Sequence, residues 1–507
     1  MEVSVVVKRK EDYNTLYEKF LKHSNLEKKD YQYAGIKWIV NNEVNGVHGT
    51  HGNVKGGFIS DEMGLGKTIM MVGSMFVNFL PKTLIVLPVA LIDQWVSQIY
   101  KTTGHKALVF YGAEKKNLNL SDLERRPIVI TSYNSLSFQK GKESDGLGEE
   151  GGLGGGGKGC LLHQIKWNRV VFDEAHHLRN SKTRRYISCN MLKSDIRWII
   201  SGTPIQNKMK DFETLCGFIG LSHHYFKDRS NIPNFILKRT KKQVGINLPD
   251  VVSDCKVVKW KSEAEKNISS FIHSHVFVMN NDDCNNVYSE LSFRNTYNPY
   301  CKLISILRAR QFCVLPRLVI KGIEYDNDND ISDHVLLDSN EKEGFRSTSK
   351  IDSVVSLLLS RKDNGNGKLV FCHFREEMDE LFCRLKSGGI DNVAILDGRC
   401  SKKTRNELLN KKSDVLILQI KTGCEGLNLQ DNFNEVYFVT PHWNPKIEDQ
   451  AVARCHRIGQ KKEVYVFRFH MSGFYNDDED VVSPSIENYI NDVQNKKREI
   501  ISEIIED

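Results

Sequence analysis

The first half of the chain contains short apolar runs rich in β-branched residues, and each run ends in polar or glycine residues. The runs are LIVL at 84–87, IVIT at 128–131, VVF at 170–172 and WII at 198–200. Helical-looking segments separate them. Buried parallel strands joined by crossover helices produce this alternation, because a strand covered on both faces is apolar along its length. The pattern predicts an α/β lobe over residues 26–240.

The same alternation returns in the second half of the chain. Strand-like runs lie at 368–372, 392–396, 414–418, 435–439 and 463–467. They predict a second α/β lobe over residues 347–470. The predicted fold class is therefore α/β, with two tandem parallel sheets, each flanked by helices.

Four segments fall outside these two patterns. Residues 241–346 are largely polar with helical patches, which predicts a mostly helical connector between the lobes. Residues 1–25 are interpreted as an N-terminal extension. Apolar residues near helical spacing within 471–507 predict a helical tail that packs back on a lobe. The glycine-rich insert at 141–159 has too little apolar content to form a core, which predicts a mobile loop in the first lobe.

Composition narrows the class of protein. The 507 residues are 40% hydrophobic and 27% charged, and the net charge of +7 permits nucleic-acid binding without arguing for it. None of the 12 cysteines forms a C-x-x-C pair, so we expect no zinc site and reduced thiols in an intracellular protein. No stretch approaches the ~18 apolar residues of a membrane span, and the N-terminus is not a signal peptide, so no membrane partner is expected.

The strongest chemical signal is DEMGLGKT at 61–68, which lies between a strand-like run and a helical run. Glycines let backbone N–H groups approach phosphate oxygens, and the helix N-terminus adds a positive dipole end. In this interpretation Lys67 reaches the β- and γ-phosphates of ATP and the Thr68 hydroxyl binds Mg²⁺. By itself, GLGKT also fits a tight turn into a helix. The candidate nucleotide-binding residues are Asp61, Glu62, Met63, Gly64, Leu65, Gly66, Lys67 and Thr68.

The second signal is DEAH at 173–176, directly after a strand-like run. A carboxylate at a strand end can hold Mg²⁺, which fits Asp173, and the adjacent Glu174 can orient and deprotonate the attacking water. A chance acidic tetrapeptide on a solvated turn is the alternative, but α/β sheets place their chemistry at this end of their strands. SGTP at 201–204 follows the next strand-like run. The hydroxyls of Ser201 and Thr203 are candidates to sense the DEAH segment, although SGTP alone also fits an ordinary turn.

In their order along the chain, these motifs and several others resemble those of helicase superfamily 2, specifically the Swi/Snf-type ATPases. DEMGLGKT is that family's own form of the phosphate loop, which accounts for Asp61 where the strict pattern has glycine. Glu448 stands where the family usually has Asp, and Glu425 where many members have a small residue. The other matching segments lie at 31–32, 84–88, 94–95, 130–133, 201–208, 237–241, 370–374, 422–429 and 450–460.

The resemblance implies two RecA-like lobes with ATP between them, and it implies roles for further residues. Gln32 would contact adenine, and Gly426 would also line the nucleotide site. Arg454 and Arg457 would be arginine fingers on the transferred phosphoryl group, with Gln450 in the same catalytic motif. His176 would join Ser201 and Thr203 in coupling the nucleotide to motion. The nucleic-acid track, contacted mainly through phosphates, would include Gln94, Trp95, Thr131, Thr422 and Gly423.

The function that this resemblance implies is a nucleic-acid-dependent ATPase that uses ATP and Mg²⁺. It would translocate on duplex DNA and remodel or displace DNA-bound proteins in chromatin, repair or transcription, in the nucleus or in a viral replication or transcription compartment. A helicase that separates strands of DNA or RNA is one alternative, and an ATP-binding scaffold with little turnover is another. The complete catalytic set argues against the scaffold, and the Swi/Snf form of the motifs favours translocation over strand separation.

Overall fold

The structure of the protein, a computed structural model, describes residues 12–49, 52–136, 160–202, 209–277, 302–320, 339–420, 427–475 and 481–505. The chain forms two compact units, Met1–Asn247 and Leu248–Asp507. The glycine-rich insert at 141–159 lies outside the described residues, so its predicted mobility stays a prediction.

The first unit is built on one sheet. Within the described residues the sheet has eight strands in the order β1-β2-β7-β6-β3-β5-β4, with β8 paired to β2. All pairings are parallel except that of β1 with β2. The four predicted runs correspond to β3, β5, β6 and β7. The strands are β1 (Val47–Gly49), β2 (Gly52–Ile59), β3 (Thr83–Leu87), β4 (Leu108–Phe110), β5 (Ile128–Ser132), β6 (Lys166–Asp173), β7 (Lys193–Ile200) and β8 (Ile236–Leu237).

Helices cover this sheet and complete its core. They are α1 (Tyr13–Ser24), α2 (Asp30–Val44), α3 (Lys67–Val77), α4 (Ile92–Thr103), α5 (Leu120–Glu124), α6 (Tyr133–Leu136), α7 (Arg184–Asn190), α8 (Met209–Ile219), α9 (His223–Lys227) and α10 (Ile232–Phe235). Helix α1 lies inside the predicted N-terminal extension, yet its Tyr17 and Phe20 are buried in the same core cluster as Met70 and Met71 of α3. The structure therefore places α1 in the first unit, because it covers apolar surface of α3.

The second unit also contains a parallel sheet, in the order β11-β12-β10-β13-β14-β9. This confirms the predicted fold class of two α/β bodies with parallel sheets. The strands of the sheet are β9 (Val251–Val258), β10 (Lys368–Cys372), β11 (Val393–Leu396), β12 (Val415–Gln419), β13 (Glu435–Phe438) and β14 (Val464–Met471), and a separate antiparallel pair is formed by β15 (Phe474–Tyr475) and β16 (Val481–Ser483).

The helices of the second unit extend from the predicted connector into the predicted tail. They are α11 (Glu263–Phe277), α12 (Lys302–Val314), α13 (Ser339–Arg346), α14 (Ser349–Ser360), α15 (Arg375–Ser387), α16 (Lys402–Asn410), α17 (Pro445–Val452) and α18 (Ile486–Ile505). Ile486 and Ile490 of α18 are buried in the core cluster that contains Val370 of β10. None of the helices in the described residues has both the length and the apolar content to cross a bilayer.

The segment 241–346 is mostly helical where the structure describes it, but it differs from the predicted connector in adding a strand to the second sheet. It begins with β9, which pairs with β14 from Val251↔Val464 to Val258↔Met471. Helices α11 and α12 bury Ile268 and Phe312 in the same core cluster as the second sheet. The difference arises because an edge strand needs apolar residues on one face only. The β9 sequence, VVSDCKVV, therefore lacks the continuous apolar run that predicts a buried strand.

Candidate nucleotide site

The phosphate-loop sequence forms the turn between β2 and α3. Gly64 and Gly66 adopt left-handed backbone conformations, with φ of 95° and 81°. A Cβ on Gly66 would also lie 2.7 Å from Nε2 of Gln32, so a side chain there would be both strained and obstructed. Helix α3 begins at Lys67. Its first N–H groups thus lie directly after the glycine turn, which is the arrangement that binds anions.

The side chain of Lys67 folds over this loop. Its ammonium donates to the backbone oxygen of Asp61 at 2.8 Å and of Glu62 at 3.4 Å. A Cβ built on Gly202, at the end of β7, would lie only 3.6 Å from the Lys67 Nζ. Ser201 is buried, and its N–H donates to the oxygen of Ile59 at 3.2 Å. The structure therefore brings the segment at 201–202 against the loop, while the role of Ser201 in sensing the DEAH segment stays a prediction.

The two carboxylates of the loop face the segment that ends the first unit. Asp61 is fully buried and accepts from Arg239 Nη2 at 2.5 Å and Nε at 3.1 Å. Glu62 accepts from the Lys241 backbone N–H at 2.7 Å, and its other oxygen lies 2.8 Å from the Lys241 Nζ. These side-chain contacts fix the phosphate loop to the segment that contains Arg239 and Lys241. The backbone oxygens of Asp61 and Glu62 hold the Lys67 ammonium, and the predicted contact of these two residues with the nucleotide stays a prediction.

Gln32 lies behind the same turn. Its amide Nε2 donates to the backbone oxygen of Leu65 at 3.4 Å and to the Tyr31 hydroxyl at 3.4 Å. Arg239 Nη1 donates to the backbone oxygen of Tyr31 at 2.5 Å. The predicted adenine-contacting segment is thus joined to the phosphate loop within the first unit, while the adenine contact itself stays a prediction.

The DEAH carboxylate lies at the carboxyl end of β6. Asp173 Oδ2 accepts from the indole Nε1 of Trp95 at 2.7 Å, and Oδ1 accepts from the N–H of Glu174 at 3.0 Å. Burial and, to a smaller extent, the neighbouring Glu174 charge raise the pKa of Asp173 to about 7, against the opposing effects of the Trp95 hydrogen bond and the Lys67 charge. The interaction with Lys67 brings the second motif close to the first.

Glu174 has a backbone conformation that is uncommon for a residue other than glycine. Its φ of 50° lies in the left-handed region, which non-glycine residues occupy mainly where the surrounding structure imposes it. The turn points Glu174 toward His176, whose Nδ1 is 3.3 Å from Oε2. Burial lowers the pKa of the following His177 to about 4, with His176 and Arg185 adding to the effect. The structure thus links His176 to the predicted water-activating carboxylate.

The residues of this site suit Mg²⁺, a cation that prefers oxygen ligands. Each carboxylate oxygen of Asp173 accepts one hydrogen bond from a neighbouring group. A carboxylate oxygen can accept two, so capacity remains for the metal or its water. Thr68 adds a hydroxyl in the first turn of α3. Both predicted metal-binding residues are therefore chemically suited to the role.

The second unit contains the arginine-rich turn after α17. Arg454 Nη1 donates to the backbone oxygen of Leu427 at 3.5 Å, and the Arg457 guanidinium donates to Asn428 Oδ1. Burial lowers the pKa of Arg457, and the nearby Arg454 charge lowers it further. Gln460 Nε2 fixes the end of the turn through the backbone oxygens of Gln430 and Phe433, each at 3.1 Å. Gln450 is buried at the end of α17.

The predicted nucleic-acid contacts divide into three groups. Gln94 is exposed at the start of α4, which suits a contact with a ligand. Trp95 and Thr131 are in the interior: the Trp95 indole is bonded to Asp173, and the Thr131 hydroxyl donates to the oxygen of Phe110 at 2.9 Å. The structure gives these two side chains internal partners, and their predicted track contacts stay predictions. Thr422 and Gly423 lie outside the described residues, as do Thr203, predicted for coupling, and Gly426, predicted for the nucleotide site.

Two residues of the site were not found from the sequence. The Tyr133 hydroxyl donates to the backbone oxygen of Asp173 at 2.7 Å, and Arg239 holds Asp61. Both occur in matching segments of the family, which was a signal that they have a role. That signal does not show which way a side chain points. In addition, a basic cluster such as 238–242 is typical of an exposed surface, so it did not predict that Arg239 pairs with a buried carboxylate.

Comparison with known proteins places the chain among helicase-like ATPases. The SNF2-related domain family matches residues 31–313, and the helicase conserved C-terminal domain family matches residues 349–459. The chain is 26% identical to an uncharacterized ATP-dependent helicase of Mycoplasma genitalium, over 96% of this chain and 43% of that protein. It is 24% identical to the ISWI chromatin-remodeling complex ATPase ISW2 of Saccharomyces cerevisiae, over 89% of this chain and 39% of that protein.

A viral protein matches over nearly its whole length. The probable global transactivator of Orgyia pseudotsugata multicapsid polyhedrosis virus is 26% identical, over 94% of this chain and 91% of that protein. By contrast, the chain spans less than half of the mycoplasma helicase and the yeast ATPase. The similarity therefore covers the two-unit ATPase core and leaves the larger relatives' further segments unmatched.

Proposed function

Because the chain belongs to the SNF2-related family, we propose that it hydrolyses ATP with Mg²⁺ and uses the energy to translocate on double-stranded DNA. In this function it remodels or displaces proteins bound to DNA, in chromatin, repair or transcription. The ATP-dependent helicase class of its relatives supports the ATPase activity. The chromatin-remodeling class of another relative supports DNA and its bound proteins as the substrate.

The observation that carries the ATPase activity is the convergence of three motifs at one edge of the first sheet. Strands β2, β7 and β6 are neighbours, and their carboxyl ends lead into the phosphate loop, the segment at 201–202 and Asp173. Ligands of α/β sheets bind at this edge. Lys67 would neutralise the β- and γ-phosphates, Thr68 and Asp173 would hold Mg²⁺, and Glu174 would orient and deprotonate the attacking water.

The second unit supplies cations for the same reaction in this proposal. Arg454 and Arg457 would stabilise charge on the transferred phosphoryl group, since a guanidinium stays charged and bonds phosphate at two points. Burial and the nearby Arg454 charge both destabilise the charged form of Arg457, and a bound anion would relieve that repulsion. Gln450, in the helix before the turn, would assist in positioning them.

Duplex DNA is the proposed track, with its phosphates as the main points of contact. Exposed Gln94 is retained from the predicted track residues, and Thr422 and Gly423 stay predictions. The nucleus or a viral replication or transcription compartment is the proposed location, consistent with the chromatin-associated and viral relatives.

The test is the rate of ATP hydrolysis without nucleic acid and with duplex DNA, single-stranded DNA and RNA in parallel. Lys67→Ala serves as the control for contaminating ATPases. We expect the largest stimulation by duplex DNA. Stimulation by single strands or RNA alone would contradict the duplex track, and absence of turnover under every condition would support the scaffold.

A second assay distinguishes translocation from strand separation. A translocase removes the third strand of a DNA triplex but does not separate a labelled duplex. Separation of the duplex at a comparable rate would favour the alternative of a strand-separating helicase.

A further inference from the structure

Two aromatic side chains hold the DEAH aspartate from segments that lie apart in sequence. The Trp95 indole N–H donates to the Asp173 carboxylate at 2.7 Å, and the Tyr133 hydroxyl donates to the Asp173 backbone oxygen at 2.7 Å. Both side chains are buried, with exposures of 1% and 3%. One bond fixes the carboxylate and the other fixes the backbone that carries it, so the position of Asp173 depends on both segments.

Each aromatic residue has an exposed polar neighbour in sequence. Gln94 precedes Trp95 at the start of α4, and Asn134 follows Tyr133 at the start of α6. These helices follow β3 and β5, and β3 lies between β6 and β5 in the sheet. The two exposed amides therefore lie at the same edge of the sheet as Asp173. Asn and Gln amides commonly contact the phosphates of nucleic acid.

A further contact joins Asn134 to the DEAH segment. Arg185 Nη2 donates to Asn134 Oδ1 at 3.1 Å, and Arg185 Nη1 lies 3.2 Å from His177 Nδ1. The Tyr133 and His177 rings are 5.3 Å apart between centroids. A phosphate that accepts from the Asn134 amide N–H would therefore restrain Arg185, His177 and Tyr133 together.

We propose that Trp95 and Tyr133 are positioning residues that make the metal-binding carboxylate of Asp173 respond to duplex DNA bound at Gln94 and Asn134. This inference rests on the proposed function, because it needs both a DNA track and a Mg²⁺·ATP site. A hydrogen bond weakens steeply when its angle or length changes, so a small displacement of either segment reorients Asp173. Bound DNA restrains the segments that carry Trp95 and Tyr133, and the affinity of Asp173 for Mg²⁺ therefore increases.

The experiment measures Mg²⁺-dependent binding of a fluorescent, non-hydrolysable ATP analogue, with and without duplex DNA, so that no turnover is needed. Trp95→Phe replaces the indole with a smaller phenyl ring and removes the N–H, and Tyr133→Phe keeps the ring and removes the hydroxyl. The matched control is Trp167→Phe, because the Trp167 indole is also buried but donates to the backbone oxygen of Leu162 at 3.0 Å. Thermal unfolding of each variant shows whether it is folded.

In the parent protein, duplex DNA should lower the Mg²⁺ concentration for half-maximal analogue binding by about threefold or more, a change of roughly half a power of ten in binding constant. Without DNA, Trp95→Phe should need more Mg²⁺ than the parent, and in both aromatic variants the DNA effect should fall to less than half. Trp167→Phe should behave as the parent. Gln94→Ala and Asn134→Ala change exposed residues and should reduce the DNA effect too, which keeps the test open if Trp95→Phe does not fold.

The outcomes that overturn the inference differ from those that overturn the proposed function. If the parent shows the DNA effect and Trp95→Phe and Tyr133→Phe show it undiminished, the coupling role is refuted and the ATPase motor stands. If Trp167→Phe loses the effect equally, the loss is a general consequence of packing, which also refutes it. A parent protein that neither binds nor responds to duplex DNA overturns the proposed function and this inference together.

Discussion

Asp61 shows how a single ion pair supports the nucleotide site. Its carboxylate is fully buried, and Arg239, only 18% exposed at its side chain, pairs with it from the end of the first unit. Arg239 also donates to the backbone oxygen of Tyr31. One guanidinium thus joins the phosphate loop to the predicted adenine-contacting segment. Removing one partner of a buried pair is costly, because the remaining charge has lost its solvent and its counter-charge.

Arg239→Ala should destabilise the first unit by about 3 kcal/mol, a typical cost of an uncompensated buried charge, and should weaken nucleotide binding. The double variant Asp61→Ala/Arg239→Ala should recover part of the stability, because no carboxylate is then left unpaired. Denaturant unfolding of the single and double variants measures the coupling, with exposed Arg126→Ala as the control. Equal stability of Arg239→Ala and Arg126→Ala would contradict the structural role of the pair.

Substitutions of Lys67 and Glu174 are expected to impair different steps, nucleotide binding for Lys67 and hydrolysis for Glu174. Lys67→Ala removes the cation that folds over the phosphate loop, so both nucleotide binding and turnover should be lost. Glu174→Gln keeps the size of the side chain and leaves Asp173 unchanged, so ATP should bind and remain unhydrolysed. Equilibrium nucleotide binding and single-turnover hydrolysis, measured on the same preparations, separate the two effects. Normal turnover by Glu174→Gln would show that another group activates the water.

Helix α18 is an element of the second unit that extends beyond the segment matched by the C-terminal domain family, which ends at residue 459. It contacts the segment that leads into α17. Gln494 Nε2 donates to the buried Glu448 carboxylate at 2.8 Å, and Lys497 Nζ donates to the backbone oxygen of Trp443 at 2.8 Å. Arg468 Nε holds the other oxygen of Glu448 at 3.0 Å. The helix therefore supports the turn that presents Arg454 and Arg457.

Gln494→Ala should destabilise the second unit, because the buried carboxylate of Glu448 loses one of its donors. The expected cost is about 1–3 kcal/mol, the range for a buried polar group left with an unmade hydrogen bond. Thermal and denaturant unfolding of the full chain measure it. Lys496→Ala, at an exposed position of the same helix, is the control, and identical unfolding of the two variants would show that α18 does not support this segment.

At the scale of the whole molecule, the chemistry is divided between two units of similar length. Met1–Asn247 contains the phosphate loop and the DEAH carboxylates, and Leu248–Asp507 contains the arginine-rich turn. In the proposed function, hydrolysis is coupled to motion because neither unit is expected to complete the reaction alone. The proposal makes the second-unit arginines necessary for turnover and much less important for ATP affinity.

Replacing Arg454 or Arg457 by Ala should reduce DNA-stimulated turnover severely, since an arginine finger can be worth ~10³–10⁵ in rate. The double variant should lose far less than the product of the single losses, because one site needs both residues. ATP affinity should change little, and duplex binding should persist and weaken steeply with salt. Arg346→Ala, at an exposed position at the end of α13, is the control. Turnover at the parent rate by either single variant would refute the role of the arginines.

The sequence alone was sufficient to predict the strands that are apolar along their length and the motifs that follow these strands. The runs at 84–87 and 170–172 lie within β3 and β6, and the phosphate loop and DEAH segment follow β2 and β6 as predicted. These features are local, because strand character, glycine turns and helix starts depend on neighbouring residues. The family resemblance was also readable, since it rests on the order and spacing of short motifs.

Tertiary structure decided where individual side chains point and which unit each element joins. Trp95 bonds to Asp173 across 78 positions, and Arg239 to Asp61 across 178; nothing in either local segment specifies the partner. In the same way, β9 and α1 become parts of the two units only because β14 offers an edge and α3 offers apolar surface. The sequence determined the order of the motifs and the fold class. The packing of distant segments determined that Asp61 supports the loop and that Trp95 and Tyr133 position the aspartate, because burial forces each polar group to find a partner.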